Sequence, residues 1–155
     1  MSQNRSRRKR AALAALVISG FAAGAPAFGD GVFKHANLKI ETQSGPVLLD
    51  VEVAGNETQR QHGLMFRRQL PENGGMIFLF DHAQEITMWM KNTYIPLDMV
   101  FIGDDWRVVH IARDAEPLST GVISSVYPAS RVLEIAGGQA GKLGLKNGDA
   151  VSLQR

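Results

Sequence analysis

Two apolar segments that flank a short polar corner constrain the fold of this chain most. Residues 86–90 place apolar side chains on both faces of a predicted strand, and residues 99–102 contain no polar residue. Strands of this kind are usually covered on both sides, as in a closed barrel or a sheet beneath a helix. Pro96 lies between the segments and lacks an amide donor, so the corner is not a continuous ladder. If the segments pair as a hairpin, Lys91 and Asp98 flank the corner and could meet.

The first 27 residues have the pattern of a secretory signal peptide. Five basic residues lie within the first ten positions, an uncharged apolar segment follows at residues 11–25, and Ala25-Pro26-Ala27 is a small-x-small cleavage site. The apolar segment is shorter than the ~20 residues that span a bilayer, which favours cleavage over the alternative of a membrane anchor. We therefore expect a periplasmic or secreted protein that meets the membrane only through this segment, before cleavage.

The mature chain is acidic although the whole sequence is basic. Cleavage after Ala27 removes five of the 17 Lys and Arg residues and none of the 15 Asp and Glu residues, so the formal net charge changes from +2 to −3. An acidic domain argues against nucleic acid as a partner. The chain has no cysteine, so an exported domain of this composition is stabilised by packing rather than by disulfides.

The remainder of the chain predicts one domain. Residues 28–36 form a predicted flexible lead-in, and residues 37–155 form a single mainly-β domain. Alternating apolar and polar residues at 38–42 and 47–54, with a Ser-Gly-Pro turn between them, predict a β-hairpin.

The other predicted elements are short. A helix is predicted over residues 57–64, with Asn56 as its N-cap and Gln59 as the capping-box partner. Further short strands, separated by Gly-containing turns, follow to the end of the chain. The predicted fold class is mainly β (α+β): a small barrel-like antiparallel or mixed sheet with one or two short helices, since closure removes exposed strand edges.

Several segments together carry a resemblance to a known family. They are residues 63–67, 75–78, 89–93, 95–99, 101–102, 132–134 and the Gly148-Asp149 turn. In this order they resemble the uncharacterised family called domain of unknown function 192, over roughly residues 37–153. The resemblance implies a small, often exported, mainly-β domain and no established activity.

The candidate binding residues surround the polar corner. Trp89, Lys91, Asn92 and Asp98, together with Arg67, could form a charged, hydrogen-bonding patch at the mouth of an apolar pocket. Such a patch would suit a small anionic or sugar-like ligand. The structural alternative is that Lys91 and Asp98 form a salt bridge that closes the hairpin, while Arg67 pairs with Asp98 or Glu134.

Two chemical alternatives remain open. Asp98 or Asp81 could act as an acid or base with Lys91 or His82, although no nucleophile motif accompanies them. A group of methionines suits Cu(I), but methionine also fills gaps in cores. These methionines are Met65, Met76, Met88, Met90 and Met99.

The histidines show no metal-ligand spacing, and no phosphate-binding or dinucleotide-binding motif is present. We therefore expect no cofactor and no metal. The sequence favours a binding or accessory module of the cell envelope, with a small polar molecule or an envelope protein as partner. An enzyme and a copper-handling protein are the alternatives.

Overall fold

The structure is a computed structural model that describes residues 33–154. The predicted signal peptide, residues 1–27, lies outside the described residues. Within them the chain forms nine strands and two short helices. In chain order these are β1 (Lys34–Thr42), β2 (Gly45–Ala54), α1 (Glu57–His62), β3 (Gly74–Gln84), β4 (Thr87–Met88), β5 (Leu97–Ile102), β6 (Val108–Ala115), β7 (Ile123–Ser124), β8 (Ala129–Ala136), α2 (Gln139–Lys142) and β9 (Ala150–Gln154).

Seven of these strands form one mixed sheet, which confirms the predicted mainly-β class. The strand order is β6-β5-β8-β3-β2-β1-β9, and β4 and β7 form a separate two-stranded sheet. Strands β2 and β3 pair in parallel, and the other neighbours pair antiparallel. The two outer ends of the large sheet meet at an antiparallel bridge between Arg107 and Ala150. The sheet is therefore barrel-like without being a fully closed barrel.

The beginning of the domain follows its sequence signals. Strands β1 and β2 form the predicted hairpin, although β1 begins at Lys34, inside the segment predicted as a lead-in. The side chain of Asn56 accepts a hydrogen bond from the backbone N–H of Gln59, which caps α1 as predicted. Gln59 in turn accepts from the backbone N–H of Gly55 at 3.0 Å. Two amide groups at the start of α1 are thus satisfied by side chains.

The predicted hairpin at the polar corner is wrong. Of residues 86–90, only Thr87 and Met88 are in a strand, and they pair with Ser124 and Ile123 of β7. Strand β5 lies between β6 and β8 and is buried along its whole length. The apolar character of both segments therefore reflects two different environments, a covering ribbon and a central strand, rather than two paired strands.

The sheet has an apolar cluster on each face. The barrel-side cluster includes Leu38, Val51, Ile77 and Leu133. The outer cluster consists of residues on the opposite faces of β3, β5 and β8, covered by Leu64 and by residues near β4. Among residues 33–154, neither helix has the length and apolar character needed to cross a bilayer.

Candidate functional site

A pocket opens on the outer face of the sheet, where α1 and β4 cover strands β3 and β8. Its volume is about 250 Å³. Its lining combines apolar side chains with polar and charged ones in about equal number. The lining residues are Glu57, Arg60, Gln61, His62, Gly63, Leu64, Met65, Phe78, Phe80, Thr87, Met88, Trp89, Lys91, Thr93 and Glu134. Ligand sites combine apolar surface with placed polar groups, so this concavity is a candidate small-molecule site.

The floor of the pocket carries a buried carboxyl group. Glu134 lies in the middle of β8, in register with Met76 of β3 and Met99 of β5, and it is only 4% exposed. Among the described residues, no side chain or backbone group forms a hydrogen bond or ion pair with this carboxyl. Burial raises the pKa of Glu134 to about 8. The group is therefore a neutral carboxylic acid at pH 7, able to donate one hydrogen bond.

The rim of the pocket is exposed and positively charged. Trp89 is 52% exposed, and the Lys91 Nζ atom lies 5.2 Å from the centre of its ring. A cation at this distance is attracted by the electrons of the indole face. Among the described residues, Lys91 has no carboxylate within salt-bridge distance. Its charge at the rim is therefore not neutralised by a partner.

Helix α1 forms one wall, on which the charges balance. The Arg60 guanidinium donates to Glu57 at 2.9 Å and to the Leu79 carbonyl at 2.8 Å, and it lies 5.2 Å from the centre of the Phe80 ring. This hydrogen bond from Arg60 is the main reason why the pKa of the Glu57 carboxyl is lowered. Arg60 is thus held as part of the wall.

The close approach of α1 to β3 depends on Gly63. This residue ends the helix with a φ of 49°, a backbone conformation that glycine adopts without strain. A Cβ atom here would lie 3.2 Å from the ring of Phe78. The helix end can therefore sit close to the sheet and narrow the pocket.

The polar corner is a tight turn. Asn92 has a φ of 57°, which asparagine tolerates better than most residues, and the Thr93 N–H donates to the Met90 carbonyl. The Asn92 carbonyl accepts from the Phe66 N–H at 2.8 Å, and its side-chain amide lies 3.8 Å from the Met65 sulfur. Asn92 therefore shapes the rim without lining the pocket.

Two further predicted site residues serve the fold. Arg67 makes two hydrogen bonds to the Glu52 carboxylate, one of them 2.8 Å long, so the predicted alternative partners Asp98 and Glu134 are wrong. Asp98 is completely buried, and its carboxylate accepts from the backbone N–H groups of Asp114, Gly138 and Ala140. The predicted salt bridge between Asp98 and Lys91 is therefore wrong as well.

Of the five predicted site residues, the structure brings two, Trp89 and Lys91, together at the pocket. Asp98 is sealed from solvent, so it is not available as the acid or base of the acid–base hypothesis. Asp81 and His82 are exposed on β3 and are not part of the pocket lining.

The methionines divide into two groups. Met76, Met90 and Met99 are completely buried in the outer cluster, whereas Met65 and Met88 line the pocket. Within residues 33–154, no group of three or more His, Asp or Glu side chains could hold a metal ion. Three of the five methionines therefore behave as core residues.

Sequence reasoning missed the two parts of the site that come from distant segments. Glu134 was considered only as a partner of Arg67, and Arg60 and His62 of α1 were not considered. One signal was available for Glu134, which is a single charged residue within the apolar run Val132-Leu133-Glu134-Ile135. A carboxyl in such a run is buried, and a buried carboxyl without a partner is uncommon.

The fold and the pocket define a small, mainly-β domain with a barrel-like sheet and a concave site on its outer face. The chain belongs to the family DUF192, described as "Uncharacterized ACR", whose model matches residues 38–153. Among curated proteins, none matches this chain significantly.

Two solved structures are similar to this chain at 39% identity. One is a Sinorhizobium meliloti protein described provisionally as a transcription regulator, with a TM-score of 0.78 over 81% of this chain and 98% of that protein. The other is a protein of unknown function from Novosphingobium aromaticivorans, with a TM-score of 0.77 over 84% of this chain and 94% of that protein.

Proposed function

We propose that this DUF192 protein is an exported envelope protein that binds a small ligand in the pocket between α1, β4 and the outer face of the sheet. The observation that carries this proposal is the Glu134 carboxyl. It lies 4% exposed at the floor of a pocket of about 250 Å³, without a partner among the described residues. Among the described side chains no nitrogen or oxygen atom is both sealed from solvent and unpaired, so the Glu134 carboxyl is open to the pocket, where a bound ligand can pair with it.

The chemistry of the lining supports binding rather than catalysis. The lining includes apolar side chains together with the Glu134 carboxyl and the Lys91 ammonium, neither of which forms an ion pair among the described residues. No nucleophile lies beside a base in this lining, and Asp98 is occupied by backbone amides. Shape and a few polar groups are what ligand recognition requires.

A blocking variant tests the binding site. Thr87 is exposed and lines the pocket, so Thr87→Trp fills the mouth without changing the buried core. The matched control is Ser152→Trp, on an exposed position of β9 outside the pocket lining. A thermal-shift screen of the protein against metals, sugars, nucleotides, cell-wall fragments and small organic acids and amines should yield a ligand.

The expected ligand stabilises the wild-type protein and the Ser152→Trp control but not Thr87→Trp. A ligand that stabilises all three proteins equally would place the binding site elsewhere. A screen without any ligand would contradict a small-molecule function.

The proposed export rests on residues 1–27, with their basic start, apolar middle and small-residue exit. Cell fractionation followed by N-terminal sequencing tests it. The expected result is a periplasmic or secreted protein that begins at Phe28, and a cytoplasmic protein that retains Met1 would contradict export.

A further inference from the structure

We propose that the ligand is a small organic anion with an apolar body, whose carboxylate binds Lys91 at the rim and whose uncharged oxygen acceptor receives a hydrogen bond from Glu134 at the floor. This inference rests on the proposed function, because it names the ligand class of the same pocket. It is carried by the positions of the two polar groups and by the absence of partners for them among the described residues.

The charge at the rim favours an anion. Three charged residues of the lining lie near the mouth, and two of them, Glu57 and Arg60, neutralise each other in an ion pair. Lys91 remains, held over Trp89 and without a carboxylate partner among the described residues. His62 is the other titratable residue of α1 in the lining. The potential at the mouth is thus positive, which attracts anions and repels amines.

The floor favours an uncharged acceptor. On either side of Glu134 the neighbouring strands place Met76 and Met99, so no titratable group faces it from β3 or β5 at this level. Because burial raises the pKa of its carboxyl to about 8, Glu134 is a hydrogen-bond donor at neutral pH. Burying the ligand's charge beside it is unfavourable, whereas a carbonyl or ether oxygen accepts its hydrogen bond without that desolvation cost.

The walls between the two polar groups fit a short apolar body. Leu64 and Phe78 are 2% exposed, and Met65 and Met88 complete this part of the lining. A volume of about 250 Å³ lies just below the ~300–1,000 Å³ of drug-sized sites, so the ligand is small. The polarizable methionine side chains adapt to irregular shapes.

Four probes on one six-carbon chain separate the two contacts. They are 5-oxohexanoate, which has both the carboxylate and the acceptor, hexanoate, which lacks the acceptor, 2-hexanone, which lacks the charge, and 5-aminohexanoate, which replaces the acceptor with an ammonium. Titration calorimetry at pH 7 should show 5-oxohexanoate binding about tenfold more tightly than hexanoate or 2-hexanone, since one paired polar contact is worth about that factor. The amine should bind most weakly.

Variants assign each preference to its residue. Glu134→Met should remove the difference between 5-oxohexanoate and hexanoate, whereas Glu134→Gln keeps a neutral donor and should preserve it. Lys91→Met should remove the difference between 5-oxohexanoate and 2-hexanone. Lys142→Met is the matched control, since Lys142 is exposed on α2, outside the pocket lining.

The pH dependence gives a readout that folding alone would not produce. The affinity of the wild-type protein for 5-oxohexanoate should fall about tenfold for each pH unit above 8, because ionised Glu134 can no longer donate and repels oxygen acceptors. Glu134→Gln should show no such fall over the same pH range.

The outcomes separate this inference from the proposed function. Tighter binding of 5-aminohexanoate, or an affinity that rises above pH 8, would show that Glu134 binds as an anion and would overturn the ligand class alone. Equal binding of all four probes that Thr87→Trp abolishes would also overturn the ligand class, but it would still support the pocket as the binding site. If no probe binds the wild-type protein, the ligand class is wrong, and the thermal-shift screen with Thr87→Trp tests the proposed function separately.

Discussion

Replacing Asp98 with alanine should destabilise the protein severely. Asp98 is completely buried in β5. One of its oxygens accepts from the backbone N–H groups of Asp114 at 2.8 Å and Gly138 at 3.1 Å, and the other accepts from Ala140 at 2.8 Å. The carboxylate therefore fastens β5 to the end of β6 and to the start of α2.

The magnitude follows from the three amide groups. Leaving a buried donor without an acceptor costs about 1–3 kcal/mol, and bonds to a charged acceptor are at the upper end of the range. Water that enters the vacated space recovers part of this, so we expect Asp98→Ala to lose about 3–5 kcal/mol of unfolding free energy. For a domain of this size, each kcal/mol lowers Tm by about 3–5 °C, so Tm should fall by about 10–20 °C.

Urea denaturation, followed by circular dichroism, measures the effect. Asp98→Asn should lose less, about 1–3 kcal/mol, because its oxygen still accepts while its NH₂ group faces another donor. The control is Asp81→Ala, since Asp81 is an exposed carboxylate of β3 and its loss should stay within about 0.5 kcal/mol. If Asp98→Ala unfolds within 1 kcal/mol of the wild type, the carboxylate does not hold these elements together.

Three further perturbations test other features of the structure. Because the carboxyl of Glu134 has a pKa of about 8 in the folded protein and about 4.5 in the unfolded chain, wild-type stability should fall by up to about 5 kcal/mol between pH 4.5 and 8. Glu134→Met should lack this slope in urea titrations, and parallel pH profiles would contradict the burial of a lone carboxyl. Gly75→Ala should lower the free energy of unfolding by about 3 kcal/mol or more, because the new Cβ would lie 2.5 Å from the Glu134 carbonyl oxygen. The control Gly55→Ala has open space around it and should lower the free energy of unfolding by less than about 1 kcal/mol in the same assay. A double-mutant cycle on Arg67→Ala and Glu52→Ala should give a coupling of about 1 kcal/mol that weakens with salt. No coupling would show that this partly buried pair does not connect the two segments.

Local signals predicted local structure well. The β1–β2 hairpin was predictable because alternation is local, although the turn lies at Gln43 and Ser44 and the predicted turn residues Gly45 and Pro46 begin β2. The cap of α1 was predictable because Asn56 and Gln59 are three residues apart and their bonds are local. The apolar run of β5 likewise predicted a strand covered on both faces.

The partners of distant segments were not predictable in the same way. Strand β4 pairs with Ile123 and Ser124, about 35 residues further along the chain, and its own sequence does not encode that choice. Asp98 could not be assigned to amide binding because its donors come from β6 and from the start of α2. A polar residue beside an apolar strand has the same sequence signature whether its partner is a ligand, a lysine or a backbone amide.

Asp98 and Glu134 together show what separates a structural carboxyl from a candidate functional one. Both are acidic residues in apolar strands, and both are at least 96% buried. Asp98 has three backbone donors, so its burial is explained by the fold. Glu134 has none among the described residues, yet Met76 and Met99 beside it show that an apolar side chain fits at this level of the sheet. The Glu134 carboxyl opens onto a pocket and bonds to no group of the fold among the described residues. An apolar residue at this position is expected to make the protein at least as stable above pH 8. A ligand that pairs with the carboxyl therefore explains its presence better than stability does.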